Sequence, residues 1–443
     1  MTTTPLACVI MAAGRGTRMK SQTPKLLHPA CGRPVLEWAL GAVAQLAPAR
    51  TIVVVSPGSD AVRGLLPEGV EAVVQEQALG TGDAARSARS ALEGFTGDIL
   101  VINGDHPLTD PDSLRDLVAD RERAGAGAAV LTFTRTTTIG ADFGRIVRGP
   151  SGDLERIVEV RDTTPDERAI TEVNVGMYVF RSELLWPALD RLSTGNDQGE
   201  LYVTDAIGLL VADGHAVIGH HHDDPSIAIG INTRADLATA SAVLRDRINL
   251  AHMLAGVTIV DPASTWIDPG VTIAADARIE PFTLLRGTTD VGAGATVGPH
   301  AVVVDASVGP GASVGPFCYL RPGAELGDEA KAGTFVEIKN SQLAAGAKVP
   351  HLSYIGDASI GERTNIGAGG ITANYDGRAK QRTTIGKDVH TSCDNVFVAP
   401  VTIGDGAWTA AGSVITDEVP PEALAIARVH QKNIEGYGRR KPN

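Results

Sequence analysis

The 443-residue chain reads as an α/β Rossmann-like domain with a largely parallel sheet, followed by a triangular parallel β-helix. Three observations lead there. Short β-branched runs alternate with helical stretches in the first half. From Val257 onward, branched aliphatic residues recur every six positions. Glycine is abundant, at 50 residues, while aromatics make up only 4%, as a tightly turned, repetitive architecture requires. The length exceeds one ordinary core, so two cores are expected.

Strands are expected at Leu6 to Ile10, Thr51 to Val55, Val70 to Val74 and Asp98 to Ile102, separated by Ala-, Leu- and Arg-rich helical segments. One helix from Arg234 to about Leu254 carries apolar Leu237, Ala240, Val243, Leu244 and Ile248, with Arg245 and Arg247 on its polar side. It joins the two cores, which sets boundaries at 1–233, 234–254 and 255–443.

In the repeat, the aliphatic positions are Val291, Val297, Val308, Val314, Leu320 and Leu326, resuming at Val349, Ile355, Ile360 and Ile366, and again at Ile385 and Ile403. Most are followed by Gly. Each hexad makes one flat side and one corner, with the aliphatic side chain pointing into a narrow core. Steps of five, at Val303 to Val308 and Ile355 to Ile360, mark slips of the period. The longest interruption, Thr372 to Thr384, should leave the coil as an exposed loop carrying Asn374-Tyr375-Asp376-Gly377.

Charge and cysteine usage exclude several functions. A formal charge of −13 argues against a nucleic-acid surface, whose affinity rests on Lys and Arg neutralising phosphates. Cys8, Cys31, Cys318 and Cys393 are scattered, with neither zinc-finger spacing nor a CxxC pair, and fit a reducing compartment. No run approaches the roughly 18 apolar residues of a membrane span. The chain is expected to be cytoplasmic, bound to no membrane, and its basic tail from Arg439 to Lys441 solvated.

Two features point to phosphate handling. Immediately after the first strand comes Met11-Ala-Ala-Gly-Arg-Gly-Thr-Arg-Met19, then Lys25. A Gly-rich turn between strand and helix lets backbone N–H groups approach phosphate oxygens, with Arg15, Arg18 and Lys25 supplying positive charge. The spacing is neither the dinucleotide fingerprint nor the Walker A loop. The strand Val101-Ile102-Asn103-Gly104-Asp105 ends in a carboxylate at the crevice where such sheets bind ligands, and a nucleotide-bound Mg²⁺ needs one or two such oxygens. The competing readings are a structural turn and a capping Asp.

AAGRGTRM with Pro24-Lys25, QEQALGTG from Gln75 to Gly82, NGDHPLT and Gly230-Ile-Asn232 together resemble the bacterial bifunctional N-acetylglucosamine-1-phosphate uridyltransferase/glucosamine-1-phosphate acetyltransferase family. The resemblance continues through the β-helix, which it makes left-handed. It implies that Ala12, Gly14, Gln75, Gly80 and Thr81 bind the uridine nucleotide, that Arg18 and Lys25 grip its phosphates, and that Gly144, Glu159 and Asn174 hold the sugar. Asp105 and Asn232 would coordinate Mg²⁺. The Gln75 amide offers both donor and acceptor to the O4/N3 edge of uracil. Asn103 departs from the Tyr expected before Gly-Asp.

In the β-helix, Arg321, Lys339, His351, Tyr354 and Asn365, and the looped-out Asn374 and Tyr375, cannot belong to an aliphatic core. An amine attacks a thioester only when neutral, which calls for a base free near pH 7, and histidine suits that task. A lone His is more often a hydrogen-bonded structural residue; the neighbours of His351 decide otherwise. By resemblance His351 is the general base, Arg321, Lys339, Tyr354 and Asn365 bind the sugar phosphate, Asn374 and Tyr375 line the site, and acetyl-CoA lies along Ala368, Cys393, Ala411 and Arg428. Cys393 replaces an expected Ser. A homotrimer is implied, with acetyltransferase sites between neighbouring subunits. Two rivals remain: a monofunctional sugar-1-phosphate nucleotidyltransferase with an assembling β-helix, and a noncatalytic assembly protein.

Overall fold

The computed structural model describes residues 4–14 and 16–439. Arg15 and residues 440–443, with most of the basic tail, therefore lie outside the described residues. The chain divides into two compact units between Leu244 and Arg245.

The first unit is built on a nine-stranded sheet: β1 (Leu6–Met11), β2 (Arg50–Val55), β3 (Val70–Val74), β4 (Asp98–Asn103), β5 (Ala128–Thr134), β6 (Arg145–Arg148), β7 (Leu154–Val158), β8 (Glu172–Arg181) and β9 (Val217–His222). Seven of these follow the path β9-β5-β8-β4-β1-β2-β3. The four strands expected from sequence are present, each within a residue of its expected end. β1 runs parallel to β2 and β4, and β3 parallel to β2. Both faces are covered: Cys8 and Ile10 enter one core, Ala7, Val9 and Met11 the other, which is why β1 is a continuous apolar run without alternation.

One strand breaks the parallel pattern. β8 lies antiparallel between β4 and β5, with a bulge between Asn174 and Tyr178, and carries the β6–β7 hairpin at its end. The bulge re-aims the segment beside the carboxyl end of β4.

The helix Arg234–Leu254 forms as its periodicity predicts. In the first unit Ala240 and Leu244 enter the α/β core. In the second, Ile248 and Met253 pack on the β-helix core, and fully buried Asn249 donates to the carbonyls of Pro262 and Thr265.

The second unit is a left-handed parallel β-helix whose described strands stack into three flat faces. All twelve aliphatic positions of the predicted register are buried in one core, including Val308 and Ile360, which come after the five-residue steps. At these two slips the corner residue, Asp305 or Asp357, is in the αL conformation, as are corner residues elsewhere in the helix such as Phe282 and His300. Each strand bonds to its counterpart one coil away, as Val297 pairs with Val314 and Ser313 with Lys331. Residues one coil apart in sequence thus stand in columns. One corner column stacks Phe282, His300, Phe317 and Phe335 with ring centroids 4.7, 4.8 and 5.2 Å apart.

Ile279 is fully buried between Ile259 and Val297 of adjacent coils. Ile279→Ala should cost about 2–5 kcal/mol of stability, measured as a lowered thermal midpoint. An unchanged midpoint would show that the register does not define the core.

Candidate active sites

In the first unit, a cleft of about 270 Å³ opens at the carboxyl ends of β1 and β4 and is lined by Ala12, Gly14, Lys25, Gln75, Gly80, Thr81, Asn103 and Asp105. The structure thus brings the expected nucleotide residues together. After β1 the chain makes the Gly-rich turn, but the turn leads into a three-residue 3-10 segment, Thr17–Met19, not an α-helix. The helix expected after the turn is therefore absent there, and positive side chains remain to hold phosphate. Gly80 is required: its φ is 114°, and a Cβ there would lie 2.5 Å from the Leu201 carbonyl oxygen.

Lys25 Nζ sits 2.5 Å from Asp105 Oδ2 and 3.5 Å from Asn232 Oδ1, while Arg18 Nη2 donates to the same Asn232 oxygen at 2.8 Å. The two oxygens expected to hold a metal thus converge on one cationic group. Burial alone would raise the Asp105 carboxyl, but Lys25 and His106 outweigh it and hold the group below the usual carboxylate range.

The sugar residues form a second cluster. Asn174 N donates to the Gly144 carbonyl, Asn174 Nδ2 to Tyr178 OH at 2.6 Å, and Thr204 to Glu159. Burial raises the Glu159 carboxyl, and Asp205, Asp162 and Glu200 raise it further against the Thr204 bond. Asn103 links the two clusters, donating from Nδ2 to the Gly176 carbonyl inside the β8 bulge. A residue missed from sequence is Arg145, fully buried, whose guanidinium caps the carbonyls of Gly140, Ala141 and Phe143 and so fixes the loop leading into Gly144. Its burial has no local sequence signal.

The Gln75 amide does not present both donor and acceptor to a base as expected. Its Nε2 already donates to Gly80 O at 3.1 Å and Asp83 Oδ2 at 3.0 Å, so its two N–H groups are committed and only the carbonyl oxygen is left for a ligand.

In the second unit, strand pairing stacks Tyr319, Glu337 and Tyr354 on one face, with Arg321 and Lys339 two positions on. Arg321 pairs with Glu337 at 2.8 Å. Asn374 is not looped out: it is buried, and its Nδ2 donates to Asp357, which also accepts from Asn340 Nδ2 at 2.6 Å. The exposed loop begins at Tyr375, which is 61% exposed. Gly356 permits the arrangement, since a Cβ would lie 2.4 Å from Tyr354 OH and 2.7 Å from Asn374 Nδ2. Lys380, also missed, projects from this loop against Lys339, and its side-chain hydrogen bond and like charge lower the Lys339 ammonium. It lies within the Thr372–Thr384 interruption, beyond Asn374-Tyr375-Asp376-Gly377.

His351 is exposed at the corner that ends its strand, Lys348–His351. Its imidazole has no hydrogen-bond partner among the described residues, which removes the structural reading of a satisfied core histidine. Up the same corner, Gly369 N donates to His351 O, Asp394 N to Ala368 O at 2.7 Å and Gly412 N to Cys393 O at 3.0 Å. His351, Ala368, Cys393 and Ala411 therefore form a column. Asn365 pairs between Lys348 and His390, on the face whose strand ends at His351 and not on that of Arg321, Lys339 and Tyr354, and Arg428 lies exposed beyond the last described strand.

The fold and first cleft define a nucleotidyltransferase domain joined to a hexapeptide-repeat β-helix. Residues 8–206 match the MobA-like NTP transferase domain. Across both units, the chain is 46% identical to the bifunctional protein GlmU of Mycobacterium tuberculosis, over 98% of this chain and 92% of that one. The GlmU proteins of Mycolicibacterium gilvum and Streptomyces avermitilis are 48% and 47% identical, covering 98% and 99% of this chain and 92% and 95% of theirs. The chain belongs to the bifunctional GlmU family. It is a two-activity transferase, a UDP-N-acetylglucosamine diphosphorylase and a glucosamine-1-phosphate N-acetyltransferase, supplying a cell-wall precursor. A monofunctional nucleotidyltransferase with an idle β-helix is disfavoured because the likeness runs through both units. Among the described residues, no helix is long and apolar enough to cross a membrane.

Asp357 anchors Asn374 at the root of the loop, and burial, which would raise its carboxyl, is outweighed by Asn340, Asn374, Lys380 and Lys339. A depressed carboxyl keeps its anionic tether as pH falls through the ordinary carboxylate value of about 4 and loses it only below that. Asp357→Ala should accelerate tryptic cleavage after Arg378 and Lys380 about tenfold at neutral pH by lowering the cost of local opening. Cleavage at the wild-type rate would mean Asp357 does not anchor the loop.

Proposed function

We propose that each unit carries one of the two reactions in a cytoplasmic enzyme. The first transfers UMP from UTP to N-acetylglucosamine 1-phosphate in the cleft of the α/β unit. The second acetylates glucosamine 1-phosphate from acetyl-CoA along the β-helix corner. The observation that carries the first assignment is the convergence of Arg18, Lys25, Asp105 and Asn232 at one point of the cleft.

Ala12, Gly14, Gln75, Gly80 and Thr81 hold the uridine nucleotide, and Gly144, Glu159 and Asn174 hold the sugar. A phosphate oxygen of the sugar phosphate attacks the α-phosphorus of UTP while the bond to the bridging oxygen breaks, and pyrophosphate leaves. Arg18 and Lys25 neutralise the charge that develops, which in a pre-organised cleft is worth several kcal/mol. Mg²⁺ fits the oxygen pair of Asp105 and Asn232, and when bound it supplies charge neutralisation on the phosphates. Lys25, which now bridges these oxygens, would turn to phosphate when the nucleotide enters. Glu159, its carboxyl raised by burial and held by Thr204, hydrogen-bonds the sugar.

In the second reaction His351 takes a proton from the glucosamine ammonium or attacking amine. The nitrogen bonds to the thioester carbon, the carbon–sulfur bond breaks, and CoA leaves as a thiolate that takes up a proton. Arg321, Lys339 and Tyr354, with Lys380, face the sugar phosphate, and a phosphate between Lys339 and Lys380 relieves their repulsion. Asn374 and Tyr375 line this site, and Ala368, Cys393, Ala411 and Arg428 hold acetyl-CoA. Cys393 is exposed, and we assign it binding, not covalent transfer.

A homotrimer completes the site. Within one chain Asn365 and Arg428 stand away from the groups they are expected to join, and the corner aromatics Phe282, Phe317 and Phe335 are exposed at 53%, 49% and 56%. Packing copies along this corner would reunite the former and cover the latter.

His351→Ala should reduce acetyl transfer about 10²- to 10⁴-fold and leave uridylyl transfer within about twofold. Asp105→Asn should do the reverse. A parallel loss of both activities in either variant would contradict two separate sites, and wild-type protein lacking only acetyl transfer would revive the monofunctional reading.

A further inference from the structure

The orientation of the Gln75 amide is enforced by chemistry. Gln75 and Asp83 are both buried, at 5% and 9% exposure. Nε2 of Gln75 donates to a backbone carbonyl and a carboxylate, Gly80 O and Asp83 Oδ2, at 3.1 and 3.0 Å. Both partners can only accept. Rotating the amide by half a turn would press its oxygen against two acceptors and leave them unpaired. Asp83 is itself held on its other oxygen by Arg86 Nη2 at 2.7 Å, one turn along the helix Thr81–Ser87 that starts in the nucleotide loop. Arg86 reaches in from outside the cleft and lines a separate surface groove with Arg89 and Trp186. The Gln75 carbonyl oxygen has no partner among the described residues and is the polar atom this side chain retains for a ligand.

We infer that Asp83, fixed by Arg86, is a specificity-determining positioning residue: it locks the Gln75 carbonyl oxygen toward the base, so that the cleft accepts uracil through N3–H and rejects cytosine. This rests on the reading of Gln75 as a base-binding residue. On its pairing edge uracil has a single donor, N3–H, between two carbonyl oxygens. A group that can only accept meets uracil favourably at that atom alone. Cytosine presents a lone pair there, so two acceptors would face each other in a desolvated site. Its amino group could reach Gln75 only if the base slid sideways, drawing the phosphates off Lys25. A freely rotating glutamine would serve both bases, since it could turn its N–H₂ to cytosine N3. Discrimination therefore lies in the residue that stops the rotation.

The test is steady-state kinetics of nucleotidyl transfer to N-acetylglucosamine 1-phosphate with Mg²⁺, using UTP and CTP as alternative substrates, for wild type, Asp83→Asn, Arg86→Ala, Arg86→Lys and Gln75→Ala. Asp83→Asn keeps the shape but can offer either an acceptor or a donor to Gln75. It should lower the UTP-over-CTP ratio of kcat/KM about tenfold, chiefly through a higher KM for UTP with kcat within about threefold of wild type. Arg86→Ala should lower the ratio about threefold, and Arg86→Lys should restore part of it. A merely structural role would lower thermal stability and slow both nucleotides together without moving the ratio. A ratio within about twofold of wild type in Asp83→Asn, with the ratio collapsed in Gln75→Ala, would overturn the inference and leave the base-binding reading intact. If Gln75→Ala changes neither the ratio nor the KM for UTP, the base-binding reading itself fails. Should Asp83→Asn not fold, the arginine pair decides, and an unchanged ratio in Arg86→Ala overturns the proposal.

Discussion

Everything in the second unit depends on the parallel hydrogen bonding of each coil to the next. Because every strand must pair with the strand one coil away, a position in the repeat becomes a position in space. The aliphatic residues stack inward, leaving the outward positions to be decided by other demands. His351, Ala368, Cys393 and Ala411 are far apart in sequence yet stand in one corner column, because their carbonyls or those of their neighbours bond coil to coil. The site is thus a consequence of the ladder, and the rigid ladder holds it without a dedicated scaffold of its own. The longest departure from the repeat, the loop after Ala373, is tied back to the coils by Asp357 through Asn374.

The first unit solves the positioning problem differently. There the ligand residues come from the carboxyl ends of parallel strands, where the chain must turn and the backbone is free to meet a substrate. Asp105 comes after β4, the Gly-rich turn after β1, and Gln75 after β3. The antiparallel β8 closes the cleft from the side, and its bulge sets Asn174 beside Gly144. Charge does the rest: Lys25 keeps Asp105 ionised despite its burial, so the carboxylate is ready for a cation before any nucleotide arrives.

Much of this was legible in the sequence, for identifiable reasons. A six-residue aliphatic period has almost one structural solution, so the β-helix core could be assigned position by position, slips included. Strands buried on both faces, β1, β2 and β4, appear as nearly unbroken apolar runs, and their ends, like those of β3, were found within a residue. The features that escaped reading depend on long-range pairing. The antiparallel insertion of β8 has no local signature, and neither does the burial of Arg145 beneath the loop before Gly144. The helix expected after the Gly-rich turn proved to be a single 3-10 turn, because motif spacing cannot distinguish the two. Asn374 was expected to be exposed because its neighbours are; a buried carboxylate, Asp357, sequesters it. The donor state of Gln75 could not be seen either, since it depends on Asp83 lying within reach across a helix turn.

The central claim is that one chain builds a uridine cleft on strand ends and an acyl-transfer column on a β-helix corner. It is tested most directly by an experimental structure of the wild-type protein with UTP, Mg²⁺ and CoA bound. The account predicts the uracil ring against the Gln75 carbonyl oxygen, the phosphates on Arg18 and Lys25, and CoA running along Ala368, Cys393 and Ala411 towards His351. A nucleotide seated away from Gln75 and Lys25, or CoA on a flat face remote from that corner, would contradict it.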